Sequence, residues 1–155
     1  MEKTRGSHIY FDKFYRSWAL LQQTAHLISR FRDKELRPLN ITRRKVEVLA
    51  ALQTYDAPPT IGELSKRLSR EPHTVSSLVI AMEKQGLVRK VIDNERRVIK
   101  RVIITDEGGE ILHKALEIKS IRKVLSLLPE KDLDNLRANL RILRNGAREE
   151  LGKYS

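Results

Sequence analysis

The sequence of 155 residues contains no cysteine. This absence excludes disulfide bonds, thiolate nucleophiles, zinc sites that use cysteine and redox switches based on thiols. Long apolar runs are also missing, since the longest, such as residues 48–52 and 78–82, have only five residues. A membrane-spanning helix needs about 18 or more. Because no basic segment, apolar segment and cleavage site open the chain, we expect a cytoplasmic protein.

Residue groups that support catalysis are sparse. The seven glycines are scattered and form no phosphate-binding loop, and no motif places a nucleophile beside a base. His8, His26, His73 and His113 do not form the i, i+4 ligand pair that binds zinc on a helix. We therefore expect no enzyme activity, no cofactor and no metal site.

Positive charge is abundant and unevenly distributed. The chain has 31 Lys and Arg against 20 Asp and Glu, a net charge of +11. Residues 37–105 hold fourteen of the basic residues against seven acidic ones, a net +7. A basic excess concentrated in one segment favours a polyanionic partner such as double-stranded DNA. From charge alone, the alternative is a generally basic, solvated surface.

The first part of the chain is predicted to be helical. Apolar residues recur at helical spacing from about residue 10 to residue 36, which predicts one long helix that ends before Pro38. Thr42 is the predicted N-cap of a second helix.

Two short helices joined by a tight turn are predicted between residues 60 and 86. Thr60 and Glu63 have the spacing of a capping box, in which each side chain accepts from the other residue's backbone amide. The second short helix begins at Pro72, where no amide donor is needed, and ends at Gly86, a natural C-cap. Its predicted buried stripe is Val75, Leu78, Val79 and Met82.

After Gly86 the apolar period changes from helical to alternating. Residues 87–92 and 98–105 are rich in β-branched side chains and predict a hairpin with the charged connector 93–97. Thr105 caps a helix predicted to run to about Leu127, and Pro129 opens a last helix. The apolar positions of that helix follow at three- and four-residue steps: Leu133, Leu136, Leu140, Leu143, Ala147 and Leu151.

This order of elements predicts a winged helix-turn-helix, mainly α with a small β-hairpin wing. We expect a single domain over residues 1–155, with a DNA-binding lobe at about 40–105 and long dimerisation helices at about 10–36 and 106–152. The second helix of such a pair enters the major groove, and arginines at a hairpin tip suit the minor groove. The predicted DNA-contacting residues are His73, Thr74, Ser76, Ser77, Lys84, Arg96, Arg97 and Lys100.

From about residue 10 to residue 150, the sequence resembles the MarR family of transcription regulators. The matching pieces are residues 36–42, 60–68, 74–79, 82–88, the Asp- and Arg-rich wing and residues 104–108. The resemblance implies a regulator, expected to repress, that binds a pseudo-palindromic operator as a homodimer. Ser77 and Ala81 stand where members often have basic residues, so fewer phosphate contacts are expected from that helix.

The resemblance also implies release by a small aromatic or anionic effector held between the dimerisation helices and the DNA-binding lobe. Tyr15, Trp18 and His26 on the first helix are candidate pocket residues. Packing in the dimer interface is the favoured alternative for Tyr15 and Trp18, and an ordinary partly buried histidine is the alternative for His26. The absence of cysteine excludes thiol oxidation as the signal.

A winged-helix module that binds proteins without specific DNA recognition is the alternative function. Such modules usually have a neutral or acidic recognition helix and wing. Here basic residues cluster around the wing: Arg89, Lys90, Arg96, Arg97, Lys100 and Arg101. Retention on duplex DNA as salt is raised distinguishes the two functions.

Overall fold

In the part of the chain that the structure describes, a long N-terminal helix is followed by shorter helices and a β-hairpin, and then by a second long helix. This computed structural model describes residues 11–93, 95 and 100–153. Within these residues lie seven α-helices and two strands. Their bounds are α1 Lys13–Leu36, α2 Arg43–Leu52, α3 Ile61–Leu68, α4 Pro72–Lys84, β1 Val88–Ile92, β2 Lys100–Ile104, α5 Asp106–Ala115, α6 Lys119–Leu125 and α7 Glu130–Gly152.

Side-chain caps confirm the predicted helix starts. The Thr42 hydroxyl accepts from the amide of Lys45 at 3.4 Å, and the Thr105 hydroxyl accepts from the amide of Gly108 at 3.1 Å. Each cap satisfies an amide that the first helical turn leaves without an intrahelical partner. At the other end of α1, the helix stops at Leu36 as predicted, and a single 3-10 turn at Arg37–Leu39 follows.

The buried side chains form one cluster between the end of α1, helices α2 to α5 and the hairpin. The largest of them are almost completely buried: Leu36, Leu49, Leu64, Met82, Val48, Val75, Val79, Val88 and Val102. Burying a side chain of this kind contributes about 1.5–3 kcal/mol. This cluster determines which side of α4 is turned away from solvent.

The chain divides into two compact units between Glu117 and Ile118. The first unit contains α1 to α5 and the hairpin, and the second contains α6 and α7. On α7, Leu133 and Leu136 are half-buried, whereas the apolar side chains of the later turns are exposed. The predicted single domain, with its lobe at 40–105, stays a prediction.

The expectation of one continuous helix from Thr105 to about Leu127 is wrong. Helix α5 ends at Ala115, and α6 begins only after Ile118, whose φ of 40° is in the left-handed region. A continuing helix would use the Ala115 carbonyl to accept from the amide of Lys119. That carbonyl accepts instead from the guanidinium of Arg32 on α1. A tertiary contact therefore satisfies the end of α5, and the predicted dimerisation segment 106–152 is divided into three helices.

Candidate nucleic-acid interface

The first helix of the pair, α3, is fixed at its start by the predicted capping box. The amide of Thr60 donates to Glu63 Oε2 at 2.7 Å, and the amide of Glu63 donates to Thr60 Oγ1 at 3.2 Å. The donation from the Thr60 backbone is the main reason that the pKa of Glu63 lies below its ordinary value. Leu64, which is completely buried, anchors the helix on the core.

The turn between α3 and α4 is as tight as predicted. Ser69 follows α3 with a φ of 51°, and the amide of Arg70 donates back to the carbonyl of Ser65 at 3.0 Å. Pro72 then occupies the first position of α4. The fixed φ of proline suits this position, so α4 starts directly after the turn.

Helix α4 has a buried side and a polar exposed side. Val75, Val79 and Met82 are 0% exposed, as predicted for the core stripe. Leu78, the fourth predicted member, is only half-buried. At about 100° per residue, four exposed side chains lie within about 60° of one another on the opposite side. These exposed residues are His73, Ser77, Ile80 and Lys84.

The structure brings the five predicted DNA-contacting residues of α4 to the exposed side or its edges. His73, Ser77 and Lys84 are exposed, whereas Thr74 and Ser76 are half-buried at the two margins. The Ser77 hydroxyl donates to the carbonyl of His73 at 2.9 Å, so its oxygen remains available to accept a hydrogen bond. Their DNA-binding role stays a prediction.

The end of α4 leads directly into the hairpin. Gly86 has a φ of 76°, which confirms the predicted glycine stop, and the amide of Leu87 donates to the carbonyl of Met82 at 2.9 Å. The Thr105 hydroxyl donates to the carbonyl of Gly86 at 2.5 Å. The start of α5 is therefore tied to the residue at which α4 stops.

The hairpin is antiparallel, with Val88 paired to Ile104 at its base and Ile92 paired to Lys100 at the far end. Val88 and Val102 are buried and hold the strands on the core. Lys100, a predicted DNA contact, is exposed. Arg96 and Arg97, the other predicted wing contacts, lie outside the described residues, as does the predicted strand start at residues 98 and 99.

Two wing cations that the sequence presents as part of a basic surface are held by internal contacts. Arg101 Nε lies 2.8 Å from Asp93 Oδ2, and Arg101 Nη1 donates to the carbonyl of Pro58 at 2.9 Å. Lys90 Nζ lies 3.4 Å from Glu83 Oε2. The Lys90 amide also donates to Glu83, and this hydrogen bond is the main reason that the pKa of Glu83 is lowered.

These contacts fix the hairpin relative to α3 and α4. Arg101 joins β2 to the segment before α3, where Thr60 forms an isolated β-bridge with it. Lys90 joins β1 to the last turn of α4. Charge counting could not identify either role, because it does not show that Glu83 and Asp93, seven and eight positions earlier, pair with these cations.

Apart from the paired Lys90 and Arg101, the described cations of α4 and the two strands are Lys84, Arg89 and Lys100, and all three are exposed. Among the described residues, none of the three takes part in an ion pair. Their ammonium and guanidinium groups can therefore contact phosphate without first breaking an ion pair seen here. They lie on α4 and on both strands, so the positive charge flanks the polar side of α4.

The candidate effector residues are exposed on α1. The ring of Tyr15 is 5.6 Å from that of Trp18, and its ring stacks on Phe11 at 4.6 Å. Tyr15 lines a shallow groove of about 310 Å³ formed by residues 11–23, in which neither Trp18 nor His26 takes part. His26 lies about 16 Å along the helix from Tyr15 at 1.5 Å per residue. The structure therefore brings Tyr15 and Trp18 together but leaves His26 apart.

Metal and membrane features are also absent from the part of the chain described. No group of three His, Asp or Glu side chains there could hold a metal ion. None of the described helices combines the length and apolar character needed to cross a membrane.

A sequence model of the MarR family matches residues 39–97, the segment from the end of the 3-10 turn into the wing. Over this segment the chain is similar to the MarR family of transcription regulators. No curated protein sequence matches it.

Solved structures extend the likeness to MarR proteins beyond the matched segment. An organohalide-sensing transcriptional regulator, RdhR, is 26% identical in its ligand-free form, with a TM-score of 0.81 over 93% of this chain and 86% of that one. AbsC, a MarR family regulator from Streptomyces coelicolor, is 20% identical, with a TM-score of 0.80 over 91% of this chain and 99% of AbsC. The DNA complex of MepR from S. aureus is 21% identical, with a TM-score of 0.75 over 88% of this chain and 99% of MepR.

Three predictions from the sequence are confirmed by these findings. The resemblance to the MarR family is confirmed, and so is the mainly helical winged fold with its hairpin. The prediction that the chain is not an enzyme agrees with the MarR family, whose members are transcription regulators.

Proposed function

We propose that this chain is a sequence-specific DNA-binding regulator in which α4 enters the major groove. The observation that supports this most directly is the exposed side of α4, which presents His73, Ser77 and Lys84 opposite a completely buried apolar stripe. A helix about 10–12 Å across fits a major groove about 12 Å wide. Imidazole and hydroxyl groups hydrogen-bond to base edges, whereas lysine contacts phosphate.

The surroundings of α4 favour DNA over a protein partner. Exposed Arg89 and Lys100 on the wing add positive charge beside the polar stripe. A solved structure with the same fold, MepR from S. aureus, is a complex with DNA. A module that binds proteins would gain nothing from exposed cations on the wing beside a recognition helix. It would leave duplex DNA at a low salt concentration when the salt is raised.

The test is a paired titration of a selected operator and a scrambled duplex at one salt concentration. Selection from a random duplex pool first supplies the operator. His73→Ala and Ser76→Ala are expected to reduce the ratio of the two affinities by about 5- to 150-fold where the side chain makes a good base contact, which corresponds to about 1–3 kcal/mol. Because neither side chain belongs to the core, the melting temperature should not change.

His113→Ala on α5 is the matched control, since His113 is also exposed but lies outside α4. It should leave both affinities unchanged. If the specificity ratio survives both α4 substitutions, the surface that contacts bases lies elsewhere. If no duplex is enriched from the pool at all, the proposal of a sequence-specific regulator fails.

We further propose that the regulator is a homodimer formed through the terminal helices. Helix α1 exposes large aromatic side chains such as Phe14 and Trp18, and α7 exposes Ile142, Leu143 and Leu151. On each helix, exposed apolar side chains of this size mark an interaction site on a small protein. A two-fold dimer would place two α4 helices on half-sites about one helical turn apart, which explains the expected pseudo-palindromic operator.

Leu143→Glu is expected to convert the dimer to a monomer, because it places a carboxylate in the apolar stripe of α7. Sedimentation velocity measures the change directly. Asn145→Glu is the control, since residue 145 lies about 160° away around the same helix. A dimer that persists in Leu143→Glu with unchanged affinity would exclude α7 from the interface.

We also propose that a small aromatic or anionic effector binds the regulator and releases it from DNA. The structure of RdhR with 2,4-dichlorophenol, 26% identical with a TM-score of 0.78, supports an aromatic ligand. The Tyr15–Trp18 pair has two alternative roles, in an effector pocket or in the dimer interface. Because Trp18 is the single tryptophan, its fluorescence distinguishes them. A change on adding a chlorophenol at constant dimer concentration supports a pocket, whereas a change only on dilution to monomer supports interface packing.

We also propose repression in the cytoplasm as the biological mode. A dimer that covers two adjacent half-sites excludes other proteins from the same DNA by steric overlap. A reporter gene placed behind the selected operator should be expressed less when the chain is present. Expression that rises instead would identify an activator.

A further inference from the structure

Ile80 is the large apolar side chain on the exposed side of α4, and it is 43% exposed. It lies among the polar groups rather than at the edge of the core. Relative to His73 it is rotated by about 20°, and relative to the buried Met82 by about 160°, at 100° per residue. Packing within the first unit therefore does not account for its position.

The side chain is well placed for a fixed contact. Residue 80 follows His73 by seven positions, about 10.5 Å along the helix, and precedes Lys84 by about 6 Å. Isoleucine in a helix has one strongly preferred χ1 rotamer, so its methyl groups need little ordering when they meet a partner. Lys84, one turn later, supplies the charge that would hold this part of α4 against the DNA backbone.

The chemistry of the major groove then identifies the partner. Among the groups that base pairs present there, the thymine C5-methyl is the apolar one, and apolar side chains contact it. We propose that Ile80 is a specificity-determining residue that recognises the methyl group of a thymine in each operator half-site. This inference rests on the proposed function, because it requires α4 to lie in the major groove.

The position of that thymine relative to the contacts of Ser77 follows from the helix. Ile80 is three residues, or about 4.5 Å, beyond Ser77. Base pairs rise by about 3.4 Å, so the thymine should lie one or two base pairs from the base that the Ser76–Ser77 turn contacts.

Replacing thymine with deoxyuridine removes only the methyl group and tests the proposal directly. In the operator selected from the random pool, each thymine of one half-site is replaced in turn, and the affinity is measured for the wild type and for Ile80→Ala. Removing one buried methyl group is expected to weaken wild-type binding about fourfold at one position, and about fifteenfold when both half-sites are changed. Ile80→Ala should bind the thymine and deoxyuridine duplexes equally.

Ile92→Ala is the control, because Ile92 is an exposed isoleucine of the wing and the minor groove displays no thymine methyl. It should give the same deoxyuridine profile as the wild type. The proposal is overturned if deoxyuridine is harmless at every position, if the weakening persists in Ile80→Ala, or if the half-site contains no thymine. In each of these cases a specific operator still exists, so the proposed function stands. Failure to enrich any operator would instead refute the proposed function.

Discussion

Replacing Gly108 with alanine is expected to destabilise the protein, whereas the same change at Gly109 is expected to stabilise it. Both residues lie in the first turns of α5. A Cβ on Gly108 would overlap the carbonyl oxygen of Leu87 and lie 3.0 Å from Ile104 Cγ1. A Cβ on Gly109 would have no neighbour within 4 Å among the atoms described outside its own helical turn.

The magnitudes follow from this difference. Alanine is more favourable than glycine in a helix by about 0.5–1 kcal/mol, and Gly109→Ala should gain this amount. Gly108→Ala gains the same helical preference but overpacks the contact with Leu87, which costs about 1–3 kcal/mol. It also displaces the hydrogen bond from the Thr105 amide to the Leu87 carbonyl, now 3.1 Å, at about 0.5–1.5 kcal/mol. The net loss of stability should be about 0.5–4 kcal/mol.

Urea denaturation followed by circular dichroism measures both effects at one protein concentration, which must be fixed for an oligomer. With an m-value of about 2 kcal/mol/M, the two midpoints should differ by about 0.8–2.3 M and lie on opposite sides of the wild type. Equal midpoints for the two variants would refute the close approach of α5 to Leu87. Because Leu87 follows α4 directly, Gly108→Ala should also weaken binding to the operator.

Three further outcomes are expected. Arg32→Met should lower the free energy of unfolding by about 2–4 kcal/mol, because the Arg32 side chain is only 12% exposed and its guanidinium bonds to Glu35 and the Ala115 carbonyl. Arg43→Met should lower it by less than about 1 kcal/mol, because the Arg43 side chain is 42% exposed beside Asp33, and similar urea midpoints for the two variants would contradict this. Because the folded state lowers the pKa of Glu63, the ionised side chain stabilises the fold above pH 4.5, the ordinary pKa, and this contribution is lost as the pH falls through the folded-state pKa. The difference in unfolding free energy between wild type and Glu63→Gln should therefore be constant near about pH 7 and shrink below about pH 4.5. A difference that widens in acid would contradict the capping box. Arg97 lies outside the described residues, and from the sequence Arg97→Ala is expected to weaken binding to every duplex and to reduce the salt slope by about 0.9 for each phosphate that the variant no longer neutralises. An unchanged slope would show that Arg97 does not contact the DNA backbone.

The features that the sequence predicted correctly depend on neighbouring residues. The capping box at Thr60 and Glu63 involves two side chains three positions apart, and the glycine stop at Gly86 requires only its own backbone freedom. The buried and exposed sides of α4 follow from helical period once the core side is known. These local rules were sufficient to place most of the candidate interface.

The features that the sequence did not predict depend on contacts between distant residues. The break after Ala115 involves Arg32, which is 83 positions earlier, and no proline or polar turn residue marks it. The role of Arg101 involves the carbonyl of Pro58, 43 positions earlier. Composition and periodicity contain no information about such pairs, so α5 was expected to continue and Arg101 to join the basic surface.

The internal role of Arg101 and Lys90 changes what the charge of the wing can do. Six basic residues cluster around the wing in the sequence, and two of them are already paired with Asp93 and Glu83. If each of the six residues neutralised one phosphate, the wing would contribute about 5.4 to the salt slope for each protomer, whereas the four unpaired residues would contribute about 3.6.

Removing the pairing partner distinguishes these cases, because Glu83→Gln frees Lys90 without adding a cation. We expect Glu83→Gln to increase affinity for all duplexes and to leave the specificity ratio unchanged, since Lys90 would then contact phosphate rather than a base. Unchanged nonspecific affinity would show that Lys90 is held away from the DNA by its strand position rather than by its ion pair.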